Sequence, residues 1–127
     1  MKSLARALCT SVAAAAVVFF PQQAFAAGDS VYYAYSQGNA TYVKFESNGE
    51  RFFVCDNASD GHHAVGYYNF PESSTPGIYY PVHHYGGAGG CKLVDLSVGE
   101  GKKVKFQACI GEGESVYACG PYKTGTA

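Results

Sequence analysis

The chain has 127 residues, and its 9 Lys plus Arg against 10 Asp plus Glu give a formal net charge of −1. All 16 Gly and all 11 Tyr follow residue 26, and that part holds nine Val but only two Leu. Gly, Tyr and Val are weak helix formers, so this composition excludes an all-helical bundle. The absence of a basic excess argues against a protein that binds nucleic acid.

Residues 1–26 have the three parts of a secretory signal peptide. Lys2 and Arg6 supply a basic start, residues 7–20 form an apolar run, and residues 24–26 read Ala-Phe-Ala, the small-x-small pattern that signal peptidase accepts. The run is shorter than the roughly 20 residues that a membrane-spanning helix needs. We therefore expect a single secreted domain, residues 27–127, with no membrane contact after cleavage. Its net charge falls to −3, because both basic residues leave with no acidic one.

The clearest element of the exported part is a β-hairpin. Residues 31–35 form an aromatic extended segment, and residues 42–46 and 51–55 then flank the turn sequence Ser-Asn-Gly-Glu. Asn-Gly favours a type I′ turn with Asn48 and Gly49 as its two loop residues. This register predicts three cross-strand pairs: Val43 with Val54 and Phe45 with Phe52 on the core side, and Glu46 with Arg51 on the outer side.

The remaining segments are short and extended, and turns rich in Gly, Pro and Ser separate them. They cover residues 63–70, 78–82, 93–98, 102–110 and 115–119. Pro81 restricts its segment to the edge of a sheet or to an irregular position, because proline cannot donate a ladder hydrogen bond. Strands at intervals of about 8 to 12 residues predict an all-β, antiparallel, immunoglobulin-like β-sandwich of six to eight strands.

Four cysteines remain once Cys9 leaves with the signal peptide. An even number of cysteines in a small exported domain predicts two disulfides. Residues 102–110 and 115–119 form a predicted hairpin that places Cys109 opposite Cys119 on one face, which leaves Cys55 to pair with Cys91. A metal-thiolate site is disfavoured because no Cys-x-x-Cys spacing occurs.

The sequence carries no active-site signature. No Gly-x-Ser-x-Gly motif occurs, the disulfide cysteines are not available as nucleophiles, and many acidic residues lie beside Gly in turns. We therefore expect no catalysis and no cofactor.

Two histidine pairs are the candidate metal ligands: His62 with His63, and His83 with His84. Imidazoles can build a zinc or copper site. Neighbouring residues on a strand point to opposite faces, so at most one member of each pair can converge on a common site. The sequence favours solvated or turn-adjacent histidines, and a metal-binding module stays as an alternative.

Tyrosines are the candidate binding residues, because three adjacent pairs occur and each pair on a strand sends one ring to each face. Exposed tyrosine is common in protein-binding surfaces, although outward rings can also merely shield a sheet. Carbohydrate stacking stays open, but the absence of Trp weakens it. The first strand, residues 31–35, either completes its own sheet or is donated to a partner. The candidates are Tyr32, Tyr33, Tyr35, Tyr67, Tyr68, Tyr79 and Tyr80.

Residues 53–62, 99–109 and 117–120 together resemble small exported proteins of Streptomyces and related actinomycetes. The resemblance implies a two-disulfide β-sandwich, in most cases with no assigned activity. A narrower resemblance is to the small adaptor subunit of secreted antibacterial umbrella toxin particles, which joins larger subunits. We therefore expect a non-enzymatic module that binds an extracellular protein. The alternatives are an inhibitor of a secreted hydrolase, with residues 71–77 as its inserting loop, and the metal-binding module.

Overall fold

Nine β-strands build the part of the chain that the computed structural model describes, residues 29–127. The predicted signal peptide lies outside the described residues. One short 3-10 helix, Gln37–Asn39, separates the first two strands. No helix within residues 29–127 is long and apolar enough to cross a membrane. The strands are β1 (Val31–Tyr35), β2 (Thr41–Glu46), β3 (Arg51–Asp56), β4 (His63–Asn69), β5 (Tyr80–His84), β6 (Cys91–Asp95), β7 (Lys103–Glu112), β8 (Ser115–Tyr117) and β9 (Lys123–Thr126).

The strands form two antiparallel sheets packed face to face. The front sheet has the order β1-β2-β3-β6, and the back sheet has the order β5-β4-β7-β8, with β9 paired to the first half of β7. The predicted all-β antiparallel sandwich is thus confirmed, and Pro81 lies in the edge strand β5 as expected. The count exceeds the predicted six to eight strands because β9 reads Lys-Thr-Gly-Thr, which carries no hydrophobic alternation.

The hairpin of β2 and β3 has the predicted register, with Val43 opposite Val54 and Phe45 opposite Phe52. The predicted turn type is wrong, because the left-handed residues are Gly49 and Glu50 (φ 78° and 47°) rather than Asn48 and Gly49. Tertiary contacts hold both ends of this turn. The Ser47 amide donates to the Ser30 carbonyl at 2.9 Å, and the Glu50 carbonyl accepts from the Leu96 amide at 2.9 Å.

The core lies between the sheets and centres on three phenylalanines. The Phe106 ring of the back sheet lies 6.1 Å from both Phe45 and Phe52 of the front sheet, measured between centroids. The sheets approach closely at Gly66, where a Cβ atom would lie 2.5 Å from a Val54 methyl and 2.8 Å from a Val43 methyl. A larger residue at this position would force the sheets apart.

Both predicted disulfides are confirmed: one joins two neighbouring strands of the front sheet, and the other joins β7 to the segment that follows β8. Cys55 and Cys91 are directly paired on β3 and β6. Ile110 is opposite Tyr117, so regular pairing would place Ala118, not Cys119, opposite Cys109. Ala118 adopts a left-handed conformation (φ 50°) and forms a bulge of one residue, which brings Cys119 opposite Cys109. Beyond this bulge the Gly120 amide donates to the Ala108 carbonyl at 3.0 Å. Two intramolecular disulfides are consistent with an extracellular protein.

Candidate functional site

The outward side chains of the front sheet form three rows that cross its four strands. The pairing of the strands fixes these rows, since directly opposed residues share a face. We call the first two rows the aromatic face and the third row the charged border. The first row holds Tyr35, Tyr42 and the Cys55–Cys91 bridge, the second holds Tyr33, Lys44, Phe53 and Leu93, and the third holds Val31, Glu46, Arg51 and Asp95.

Three tyrosines form one end of the aromatic face. Tyr33 and Tyr35 stack with centroids 6.2 Å apart, and Tyr42 lies 5.9 Å from Tyr35. Tyr33 and Tyr35 are each 44% exposed, and Leu93 at the other end is 52% exposed. Sequence reasoning selected the first two but missed Tyr42, since nothing local shows that β2 lies against β1.

The ionised groups of this sheet neutralise one another. The Lys44 Nζ lies 2.7 Å from Glu46 Oε1 and 4.1 Å above the centroid of the Phe53 ring. The Arg51 Nη2 lies 2.6 Å from Glu46 Oε2. The Lys44 hydrogen bond, aided by the charges of Lys44 and Arg51, lowers the pKa of Glu46 against an opposing effect of burial. The three rows contain two basic residues, Lys44 and Arg51, and two acidic residues, Glu46 and Asp95, so they carry no net charge.

The lowered pKa of Glu46 predicts an acid-sensitive contribution to stability. A carboxyl with a depressed folded-state pKa stabilises the fold above its ordinary pKa of about 4.3, and that stabilisation is lost as the pH falls through the folded-state value. We therefore expect the melting temperatures of the wild type and Glu46→Gln to differ most near neutral pH and to converge in acid. Thermal unfolding followed by circular dichroism between pH 3 and pH 7 checks this, with Glu114→Gln in the exposed β7–β8 turn as the control. A constant difference over that range would contradict it.

The other candidate tyrosines lie in two different places. Tyr32 stacks on Phe45 at 6.2 Å, and Tyr68 meets Phe52 at 5.2 Å, so both are the inward rings of their pairs. Tyr80 stacks on Tyr68 at the rim of the core. Tyr67 points outward on the back sheet, where a second, smaller aromatic group forms as Tyr79 packs 5.4 Å from Tyr122.

The first strand completes the chain's own sheet. Every residue of β1 is paired with a residue of β2, from Val31 with Glu46 to Tyr35 with Tyr42. The alternative of a strand donated to a partner is therefore not what this fold shows. Gly120 allows the segment after β8 to lie against the end of β1, because any Cβ at that position would overlap the carbonyl oxygen of Tyr35. The Gln37 amide donates to the Ala118 carbonyl at 2.8 Å and holds the two segments together.

One histidine from each pair converges on the back sheet. His63 Nε2 lies 2.9 Å from His83 Nδ1, and the Tyr85 ring packs 4.4 Å from His63 and 5.7 Å from His83. Burial, and next the neighbouring His83, lower the pKa of His63. The other two histidines lie apart: His62 Nδ1 is 3.7 Å from a Glu112 oxygen, and His84 packs against Gly86 and Gly90.

A pocket of about 420 Å³ opens beside this histidine pair at one end of the sandwich. Within the described part of the chain, no group of three or more His, Cys, Asp and Glu side chains is arranged to hold a metal ion. The pocket is lined by His62, His63 and Tyr85 together with three carboxylates, those of Asp56, Asp60 and Glu112.

The loop that was predicted as an inhibitory segment, residues 71–77, is exposed over most of its length. Three contacts hold it to the fold. Asn69 Nδ2 donates to the Pro76 carbonyl, Ser73 Oγ donates to the Phe70 carbonyl at 2.7 Å, and a Glu72 oxygen accepts from the Lys103 amide at 3.0 Å. These contacts attach the loop to the end of β4 and the start of β7, two strands of the back sheet.

Comparison with known proteins returned no matching family model, curated protein or solved structure.

Proposed function

We propose that the protein is a secreted, non-enzymatic protein-binding module that acts as an adaptor in an extracellular complex, and that the aromatic face binds its partner. The observation that carries this proposal is the contact among three tyrosine rings, Tyr33, Tyr35 and Tyr42, on a face that also exposes Leu93. Tyr33, Tyr35 and Leu93 project from a rigid sheet that a disulfide crosses, with Tyr42 and Phe53 between them.

The chemistry of this face favours a protein partner. Protein interfaces combine an aromatic centre with a polar border, and the two rows of the aromatic face beside the charged border have this arrangement. Tyrosine supplies contact area at a small cost in side-chain entropy, and rings held on a sheet lose little freedom on binding. A nucleic acid would require a basic surface, whereas the charges of this sheet cancel.

The partner's surface has complementary properties. It presents an apolar patch without net charge to the aromatic face and polar groups to the charged border. The resemblance to secreted actinomycete adaptors makes a large subunit of an extracellular toxin complex the first partner to test.

Removing the exposed side chains at the two ends of the aromatic face tests the proposal. We expect the double variant Tyr33→Ala/Leu93→Ala to bind the partner at least about 30-fold more weakly. This factor corresponds to about 2 kcal/mol of binding free energy, which is the contribution of one interface hot spot. The partner is captured from the culture medium of the source organism with the disulfide-bonded wild-type protein, and its affinity is then measured by biolayer interferometry. The matched control is Tyr79→Ala/Tyr122→Ala on the back sheet, which we expect to bind like the wild type.

A second readout locates the contact directly. A photo-crosslinking amino acid at position 93 should join the partner, whereas the same group at Ile78, which is 49% exposed on a distant loop, should not. Equal binding by both double variants, or crosslinking only from position 78, would overturn the aromatic face as the binding surface. Capture of a glycan, or of a hydrolase inhibited through residues 71–77, would replace the proposed function itself.

A further inference from the structure

The edge strand β6 has backbone groups that point away from its sheet. Within residues 29–127, β6 pairs with β3 alone and ends the strand order of the front sheet. At one end of this ladder the Asp56 amide donates to the Gly90 carbonyl at 3.0 Å. At the other end the Leu96 amide donates to the Glu50 carbonyl at 2.9 Å. Because hydrogen-bonded and non-hydrogen-bonded pairs alternate, residues 92 and 94 bond to β3, and the amides and carbonyls of residues 91, 93 and 95 point outward.

These outward groups are available to another strand. In the described part of the chain, no hydrogen bond reaches the backbone of Leu93 or Asp95, and four of the five β6 side chains are exposed. The other edges are less suitable. Pro81 interrupts β5, the segment at Gly120 covers one end of β1, and β8 and β9 have only three and four residues. An exposed edge of this kind is a template for an added strand.

Two charged side chains of β6 specify what that strand should carry. Asp95 lies on the same side as Leu93, next to the aromatic face, whereas Lys92 lies on the opposite side. Neither forms an ion pair within residues 29–127. A strand added antiparallel to β6 places one residue directly opposite each charge, and opposite charges stabilise such a pair whereas like charges destabilise it.

A second copy of this chain does not supply matching charges. Two β6 edges can pair only through residues 91, 93 and 95 of both strands, because the backbone groups of residues 92 and 94 are bonded to β3. In the longest register of this kind, Leu93 is opposite itself, Asp95 is opposite Cys91, and Lys92 is opposite Val94. All four charges stay unmatched in that dimer, so a strand from a different protein is the better occupant.

We propose that the partner adds an extended antiparallel strand to the free edge of β6. Its sequence order is basic, any residue, apolar, acidic, which places the basic residue opposite Asp95, the apolar one opposite Leu93 and the acidic one opposite Lys92. This inference rests on the proposed function, because it specifies how the partner contacts the protein. The added strand lies beside Leu93 at the border of the aromatic face, so one partner covers both surfaces.

A synthetic peptide tests the pairing without the partner. The probe is Ser-Lys-Thr-Val-Glu-Thr-Ser with blocked ends, and the control, Ser-Glu-Thr-Val-Lys-Thr-Ser, has the same composition with the charges exchanged. We expect the disulfide-bonded protein to bind the probe with a Kd of about 100 µM, and the control at least about fivefold more weakly, by nuclear magnetic resonance titration. The probe should slow solvent exchange of the Leu93 and Asp95 amides and change that of Lys92 and Val94 little, since these are already bonded to β3.

Exchanging the charges on the protein tests the register. The double variant Lys92→Glu/Asp95→Lys should prefer the control peptide to the probe. The matched variant Glu100→Lys/Lys102→Glu exchanges two exposed charges in the turn before β7 and should keep the preference of the wild type. An unchanged preference in Lys92→Glu/Asp95→Lys, or no slowing of exchange at Leu93 and Asp95, would overturn the proposal. Slower exchange at these amides with rising protein concentration alone would assign the edge to a second copy and overturn it too.

The captured partner separates this inference from the proposed function. Leu93→Pro removes the N–H that faces the added strand, at an edge position where proline is tolerated, whereas Leu93→Ala keeps it. We expect Leu93→Pro to bind the partner at least about tenfold more weakly than Leu93→Ala. Equal binding by these two variants, with Tyr33→Ala/Leu93→Ala still impaired, would overturn the strand pairing and leave the proposed function intact. The charge exchange keeps the test conclusive if proline disturbs β6.

Discussion

Replacing Cys55 and Cys91 together by alanine should lower the free energy of unfolding by about 4 kcal/mol, because the bridge closes a long loop in the unfolded chain. The two cysteines are 36 residues apart, whereas Cys109 and Cys119 are only 10 apart. The same chain-entropy treatment gives about 3 kcal/mol for the shorter loop. The free energy of unfolding of a small domain is only about 5–15 kcal/mol, so removing the bridge that closes the longer loop takes away a large part of it.

Urea unfolding of the wild type and of the two double variants measures this difference. Both variants should unfold at lower urea, and Cys55→Ala/Cys91→Ala should have the lower midpoint of the two. An equal loss, or a larger loss for Cys109→Ala/Cys119→Ala, would show that loop length does not govern how the bridges stabilise this fold.

The Cys55–Cys91 bridge also belongs to the proposed binding surface. It ends the first row of the aromatic face, where the Tyr42 hydroxyl lies 4.0 Å from Cys91 Sγ. It also ties β6, which carries Leu93, to β3, which carries Phe53. We therefore expect partner binding to weaken in Cys55→Ala/Cys91→Ala even at temperatures where that variant remains folded.

The sequence was sufficient to predict the features that depend on the alternation of apolar and polar residues along a single strand or hairpin. The hairpin register follows because Phe45 and Phe52 must both face the core, and a slip by one residue would expose every apolar side chain of a strand. The inward and outward division of Tyr32 and Tyr33 follows from the same alternation. The disulfide pairs were also predictable, because one hairpin brings Cys109 and Cys119 together and leaves a single pair.

The binding surface could not be predicted, because it depends on which strands become neighbours. Leu93 joins Phe53 only because β6 pairs with β3 across a separation of 40 residues, and no local pattern sets that choice. The convergence of His63 with His83 depends in the same way on β4 pairing with β5. The alternation along a strand predicts which side of the sheet a residue faces. It does not predict which residues of other strands lie beside it.

The errors in the sequence analysis also have physical causes. The turn after β2 departs from type I′ because Ser47 and Glu50 form backbone hydrogen bonds with Ser30 and Leu96, residues remote in sequence. Tertiary hydrogen bonds of this kind outweigh the local preference of an Asn-Gly pair. The strand β9 was missed because its pairing with β7 rests on backbone hydrogen bonds and not on a hydrophobic stripe.

Phe106→Ala should cost about 3–5 kcal/mol, since it removes a fully buried ring and leaves a cavity that the surrounding sheets cannot fill. Phe106 lies on β7, which pairs with β4 in the back sheet, and its ring contacts Phe45 and Phe52 across the core. Its loss therefore weakens the contact between the two sheets. Urea unfolding measures the change, and a loss below about 1 kcal/mol would mean that the two sheets are held together elsewhere.

Leu93→Ala is the informative control for this experiment. Leu93 is half-exposed on the aromatic face, so its replacement should change the free energy of unfolding by no more than about 0.5 kcal/mol. If the aromatic face binds the partner, the same substitution should still weaken binding. Phe106→Ala, measured where most of the protein remains folded, should leave the affinity of the folded fraction nearly unchanged. If Phe106→Ala lowers stability without weakening binding, and Leu93→Ala weakens binding without lowering stability, the residues that stabilise the sandwich are distinct from those that contact the partner.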